Sequence, residues 1–273
     1  MNSSNKNPLS PRHRRGRIRP SMLGVRYGRE AVLAVALAYT ALPAAAQEGW
    51  TIEATTYLWF PTTASTVQTP FGPAETELSA KDALEDLEFG IMGTVISRRG
   101  PWALTGDLIY LDLQSTDEVS AGLAFTDIET DTTLTAISIY GSYAVVSGPT
   151  YAIEVGAGLR GISSTLDVVF RLQDTTLGTF EVEDAWVDPV LAARATGTFG
   201  ERWTGALTVD YGGFGWGNAS DETWQVIATM GYRVNDRWSI QGGYRQLRFE
   251  RENDGVDYEV DLSGPILGAT YRF

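Results

Sequence analysis

Gly264-Pro-Ile-Leu-Gly-Ala-Thr-Tyr-Arg-Phe273 closes the chain, and its alternation decides the fold. Counting back by twos from the end gives Phe273, Tyr271, Ala269, Leu267 and Pro265, all apolar and aromatic at the tip. The intervening Arg272, Thr270, Gly268, Ile266 and Gly264 are mostly small or polar. A period of two is that of a β-strand with one oily face. An aromatic carboxyl terminus beside a Tyr on the same face is out of place on a water-facing strand.

Working outward, ten strands are legible, roughly at 50–60, 87–98, 101–113, 131–146, 150–166, 182–199, 202–216, 221–234, 237–251 and 256–273. Arg99-Gly100, Ser147-Gly148-Pro149, Gly200-Glu201 and Asn235-Asp236 are tight, turn-forming breaks. Longer stretches, 61–86, 114–130, 167–181, 217–220 and 252–255, alternate with them. Short connections on one side and longer ones on the other predict an all-β, closed, antiparallel up-and-down transmembrane barrel. Its tight turns would be periplasmic and its loops extracellular. An even strand count puts both ends of the mature chain on the turn side.

The aromatics fit two girdles. Trp50, Trp102, Tyr151, Trp203, Tyr232, Trp238, Tyr271 and Phe273 stand at turn-side ends, while Tyr110, Tyr211 and Trp224 stand toward the loops. Trp102/Tyr110, Trp203/Tyr211 and Trp224/Tyr232 are each eight apart, an even number, so both members of a pair share a face. Eight residues tilted at about 40° climb roughly 20 Å, close to an apolar band of ~25 Å. The opposite phase carries Glu53, Asp107, Glu154, Arg160, Asp188, Arg194, Asp210, Arg233, Arg245 and Arg272. An Arg facing lipid at the midplane costs about 2–4 kcal/mol, so these residues are expected to line the lumen. There the arginine fork can hold carboxylates with two bonds. Gly156, Gly158, Gly243 and Gly268 alternate with them and are expected to give the guanidinium groups room.

The start of the chain fits the same address. Seven arginines lie between positions 12 and 29, an apolar run spans Ala31 to Leu42, and Ala44-Ala45-Ala46 follows. This reads as a secretory signal over 1–46, cleaved after Ala46, leaving 47–273 as one barrel domain. The apolar run is shorter than the ~20 residues of a spanning helix. Met22 is an alternative start, and Arg14-Arg15 lacks the flanking residues of a twin-arginine signal. Residues 1–46 hold one acid and eight bases; of 34 acids and 21 bases in the chain, this leaves 33 against 13, a mature balance of −20. That excludes nucleic acid as an expected partner. Cysteine is absent, so no disulfide scaffold is expected.

The one histidine, His13, lies in the signal segment. A Ser-His pair, a Cys nucleophile and a His-ligated metal are therefore missing from the mature chain, and no catalysis, metal or cofactor is expected. Tyr211-Gly-Gly-Phe-Gly-Trp-Gly217 reads as a bend at a strand end rather than a phosphate cradle. One acidic cluster holds Asp117, Glu118, Asp127, Glu129 and Asp131; another holds Glu250, Glu252, Asp254, Asp257, Glu259 and Asp261. Two readings stand for them: solvated surface acids, or weak divalent-cation bridges to lipopolysaccharide phosphates. Ser79 is placed to cap a short helix over 79–87, lying on the rim or folding into the barrel mouth.

Several stretches resemble a group of proteobacterial outer-membrane β-barrel proteins, small porin-like barrels of unassigned function. They are Tyr57-Leu-Trp-Phe-Pro61, Asp86-Leu-Glu-Phe-Gly-Ile-Met-Gly93, Arg98-Arg-Gly-Pro-Trp102, Gly106-Asp-Leu-Ile-Tyr-Leu-Asp112 and Gly268-Ala-Thr-Tyr-Arg-Phe273. The resemblance implies a cell outer-membrane location, with lipid and lipopolysaccharide as surroundings and the terminal Phe as a signal to the barrel-assembly machinery. Two roles follow: an envelope structural or surface-interaction barrel with its lumen closed by Arg–carboxylate pairs, or a narrow channel for small solutes or ions. A third class, a soluble periplasmic barrel, needs elements to cover the oily strip, and the sequence offers no helices for that.

Overall fold

A computed structural model describes residues 49–69, 72–118, 127–172, 175–253 and 256–273. The expected signal segment 1–46, its cleavage after Ala46 and the acid Asp254 lie outside the described residues. The strands are, in chain order, β1 (Thr51–Trp59), β2 (Thr62–Thr69), β3 (Gly72–Leu78), β4 (Leu87–Arg99), β5 (Trp102–Glu118), β6 (Asp127–Ser147), β7 (Tyr151–Leu172), β8 (Thr175–Phe199), β9 (Trp203–Gly213), β10 (Glu222–Arg233), β11 (Trp238–Asn253) and β12 (Val256–Arg272). Ten of them, β1 and β4 to β12, form the wall. Each wall strand pairs antiparallel with the next, and β1 pairs with β12, from Glu53↔Arg272 to Trp59↔Ile266, closing the barrel. Closure gives every wall strand a partner on each side along at least part of its length, which removes most of the exposed edge of an open sheet.

The tight turns fall at the expected breaks. Gly100 and Gly200 take φ of 57° and 66°, a backbone region that glycine enters without steric cost. The other side differs from expectation. Most of 114–130 and 167–181 is not loop but strand, because β5 to β8 run on past the belt. β8 alone has 25 residues, where a tilted spanning strand needs about 9–11. Asp117, Glu118, Asp127, Glu129 and Asp131 therefore belong to strand extensions, not to a loop.

Thr62–Thr69 and Gly72–Leu78 form two paired antiparallel strands, β2 and β3, that the alternation does not announce. β2 continues β1 along the same edge of β12 without a change of register, through Thr62↔Ser263 and Phe60 N–H donating to the Pro265 carbonyl at 3.1 Å. Pro61 interrupts the ladder because it has no N–H to donate. After β3, α1 (Ala80–Glu85) forms where expected, with Ser79 Oγ accepting from Asp82 N–H at 3.2 Å. Lys81 and Glu85 pair on its exposed face, and that bond raises the Lys81 pKa.

Exposure is inverted relative to a water-soluble protein. Leu191 is 61% exposed, and Leu104, Ile139, Leu159, Val187, Leu207, Ile240 and Leu267 are exposed with it. Arg160, Asp188 and Arg245 are buried. At the turn side the belt ends in edge-to-face pairs across strands: Trp102–Tyr143, Trp203–Tyr232 and Trp238–Tyr271, with centroids 4.9, 5.1 and 5.0 Å apart. Phe273 packs edge-on against Tyr271 at 4.9 Å. Tyr151 is exposed and Trp50 half-buried toward the same side. At the loop side stand Tyr110 against Phe89 at 6.0 Å, Tyr211 against Phe214 at 5.7 Å, and Trp224 facing Tyr211 in the ladder.

Candidate functional site

The inward phase of β4 to β8 builds horizontal rows. One row runs Thr94–Asp107–Ser138–Arg160–Asp188, each residue opposite the next on the neighbouring strand. Two residues toward the loops, the same strands give Met92–Ile109–Ala136–Ile162–Trp186. A single pleat step thus takes the interior from polar to apolar.

The polar layer contains two knots. In the first, Arg245 donates to Tyr57 Oη at 2.7 Å and to Asp107 Oδ1 at 3.0 Å, while Asp107 Oδ2 accepts from Tyr57 O–H at 2.8 Å and Thr94 O–H at 2.7 Å. The Arg245 guanidinium also lies over the Trp59 ring, 5.0 Å from its centroid. In the second knot, Arg160 donates to Asp210 Oδ1 at 2.7 Å, Tyr140 Oη at 2.9 Å, Thr223 Oγ1 at 3.1 Å and Ser138 Oγ at 3.3 Å. Asp210 Oδ2 further accepts from Gln225 at 2.9 Å and Tyr140 at 3.1 Å. Charges held this way are paired and hydrogen-bonded, which is what burial demands of them.

Asp188 faces Arg160 in the ladder, yet it accepts hydrogen bonds from Trp186 Nε1 at 3.0 Å and the Ser220 backbone N–H at 2.7 Å. Ser220 lies in the turn after the Gly-rich stretch. Phe214, Gly215 and Gly217 all take positive φ there, and Gly215 N–H closes the turn onto the Ser220 carbonyl at 2.9 Å. The stretch is a bend, and it delivers a backbone donor into the interior.

Nearer the tight turns the two faces of β7 separate cleanly. Outward Ile153 is exposed, whereas inward Glu154 is buried, pairs with Arg98 and accepts from Ser142 at 3.3 Å. Toward the same end Arg272 donates to Glu53 at 2.9 Å from Nε. Arg194 faces Glu154 in the ladder. Arg233 ends β10 beside the turn, half-buried, with its backbone N–H bonded to the Arg202 carbonyl at 2.8 Å.

Two cavities flank the polar layer. The lower, of about 160 Å³, is lined by Glu53, Glu154, Arg194, Asp107, Tyr140 and Gln225 among others. The upper, of about 700 Å³, is lined mainly by apolar side chains, among them Trp59, Met92, Leu111, Leu134, Trp186 and Phe249. They share no lining residue.

Three expectations change. The interior is not charged throughout; its loop-side half is an apolar cluster that includes Trp59, Ile109, Ile162, Trp186, Leu247 and Phe249. The inward glycines do not serve to make room for guanidinium groups. A Cβ on Gly158 would stand 2.0 Å from the Ile139 carbonyl oxygen, and one on Gly243 2.1 Å from that of Ala228, so these glycines let neighbouring backbones approach. The second acidic cluster is partly neutralised, with Arg248 bridging to Glu250 and, at 2.9 Å, to Glu259. Alternation alone did not single out Tyr57, Tyr140, Thr223 and Gln225, although Tyr57 lies in phase with Glu53 and Gln225 faces Asp210. Among the described residues, no group of three or more His, Cys, Asp or Glu is placed to hold a metal ion.

No protein-family model matches the sequence, and no curated protein does. Among solved structures, the chain is similar to the outer membrane protease OmpT from Escherichia coli, with 10% identity and a TM-score of 0.52 over 83% of this chain and 97% of that one. The translocator domain of the autotransporter NalP from Neisseria meningitidis matches at 11% identity and a TM-score of 0.38, over 90% and 98%. Neisserial surface protein A matches at 13% and 0.34, over 83% and 98%. At such identities the likeness is one of fold: this chain has the fold of bacterial outer-membrane β-barrels. The match to a protease corrects the expectation that the chain is no enzyme. Its barrel architecture is one that a protease also uses, so the exclusion of catalysis does not stand.

Proposed function

We propose that this chain is an integral barrel of the bacterial outer membrane, exported with cleavage after Ala46, whose lumen is closed by its arginine–carboxylate layer. Its role is then structural or one of surface interaction rather than bulk passage. The observation that carries the closed lumen is the layer built on Arg160 and Arg245, lying between two cavities with no lining residue in common. The exposed apolar belt and the Trp–Tyr pairs beneath it support a lipid boundary, since contiguous apolar surface of this extent is rare on soluble monomers. Outer-membrane lipid and lipopolysaccharide would contact that belt, and the barrel-assembly machinery would engage β12. Weak divalent-cation bridging at the acidic extensions belongs to the same reading.

Planar-bilayer recording of the purified barrel tests the closure. Silence is expected; steady ohmic steps would reject it in favour of a narrow channel. Fractionation tests the location, because the native protein should need detergent for release and should run faster on SDS gels before boiling than after.

A further inference from the structure

The upper cavity is more than the gap above a plug. Its volume of about 700 Å³ falls within the ~300–1,000 Å³ of small-molecule sites. Close-packed interiors hold few voids larger than a water molecule, and an apolar void offers water few partners. A recess of this size walled by Met92, Leu111, Leu134, Trp186, Phe249 and Leu262 has the volume and the lining of a site for an apolar molecule.

The wall beside it is unzipped. The β1–β4 ladder ends at Thr56↔Gly93, so Tyr57 to Trp59 have no paired partner on β4. β4 stays paired to β5 up to Leu87, and β1 stays paired to β12 up to Trp59. β1 and β4 are thus unpaired at the height of the cavity. The β8–β9 ladder also stops, at Val190↔Gly212, but there the turn after β9 bonds to β8, with Asn218 donating to the Ala185 carbonyl at 2.9 Å and Ser220 N–H to Asp188 at 2.7 Å. Leu58 and Gly90 line the cavity from the two lips, and Ala80, Ala83 and Leu84 of α1 line it as well. Leu58 and Leu84 are 57% and 53% exposed, so the cavity wall reaches the outer surface there. Outward Leu58 is paired with outward Leu267, which places the gap within the apolar belt.

We propose that this cavity is a binding site for an uncharged hydrocarbon chain or ring, reached sideways from the membrane through the β1–β4 gap. The lining holds hydroxyls, Thr63, Ser65, Thr132 and Ser164, and one acid, Asp184, which is bonded to Arg251 at 2.9 Å. Among the described lining residues there is no cationic side chain to receive a carboxylate or phosphate, so the buried part of the ligand is neutral. The site is a dead end, because the polar layer floors it. Access from lipid rests on the membrane reading; occupancy of the cavity does not.

Tritiated dodecane, equilibrated with nanodiscs carrying the barrel and with empty nanodiscs, measures occupancy by a free hydrophobe. A second arm, mass spectrometry of the barrel after exchange into delipidating detergent, detects a phospholipid whose chain lies in the site. About one ligand per barrel is expected in one arm or the other. It should fall at least tenfold in Leu134→Trp and Ser164→Phe, which fill the cavity, and persist in Leu267→Trp on the outer face. Gel mobility before boiling identifies the folded variants. No excess in either arm, or equal binding by folded cavity-filled variants, overturns the proposal. A barrel that conducts ions yet takes up dodecane would sink the closed lumen and leave this site standing; a silent barrel that binds nothing does the reverse.

Discussion

Replacing Arg160 by Met removes the centre of one polar knot and keeps most of its volume. The Arg160 and Asp210 side chains are both 0% exposed, so solvent cannot take over the lost contacts. Removing one member of such a pair generally costs about 3–5 kcal/mol, chiefly through the stranded charge. Asp210 would keep its bonds from Gln225 at 2.9 Å and Tyr140 at 3.1 Å, each worth about 0.5–1.5 kcal/mol. The expected cost is therefore near the low end, about 3 kcal/mol. Adding Asp210→Leu removes the stranded carboxylate and should recover about 2 kcal/mol, a coupling of ordinary size for contacting groups. Urea unfolding of the wild type, both single variants and the double variant, followed by tryptophan fluorescence in one bilayer composition, measures the cycle. A single Arg160→Met costing under about 1 kcal/mol, or a double variant whose loss equals the sum of the singles, would refute the reasoning.

Two further outcomes follow from other places in the wall. Burial, with Glu181 and Asp131 beside it, raises the Asp167 carboxyl above its ordinary range. The folded extension then holds that proton more tightly than the unfolded chain, so it is favoured at low pH and loses this contribution as pH rises from about 4 through the folded value. Asp167→Asn should flatten that slope in protease-resistance assays of β7 and β8, and an unchanged slope would contradict the assignment. Gly158→Ala should lower the urea midpoint by the equivalent of about 1–3 kcal/mol, because its Cβ meets backbone. Gly161→Ala, whose Cβ would find nothing nearer than 4.0 Å, is the control expected to match wild type.

The wall was legible because lipid and interior impose opposite chemistries on alternate residues, as in Trp203 to Tyr211. That contrast fades where both faces meet the same medium. Beyond position 166 β7 runs on as Asp167-Val168-Val169-Phe170 without alternation, so the extension reads as loop. Thr62–Thr69 is largely polar and follows Pro61, so β2 left no alternation to find. In the loop-side interior both faces are apolar, and the change from Arg245 to Leu247 or from Asp107 to Ile109 marks the boundary within a single phase. Which charges meet was not legible at all. Arg160 faces Asp188 across one ladder but bonds to Asp210, because partner choice inside a closed wall depends on curvature as well as register.

The seal between β1 and β12 has a kinetic consequence. Every other wall ladder from β4 onward joins neighbours in sequence and can grow hairpin by hairpin. The seal joins residues such as Thr55 and Thr270, whose hydroxyls meet at 2.8 Å across a separation of 215 positions. Its chain entropy falls due in one late event, after the rest of the sheet has curled far enough to bring first and last strands together. Until then both lie with raw edges, open to pairing with a foreign strand. The slowest step in maturation should therefore be circularisation, and a chaperoning template would be most useful at that moment.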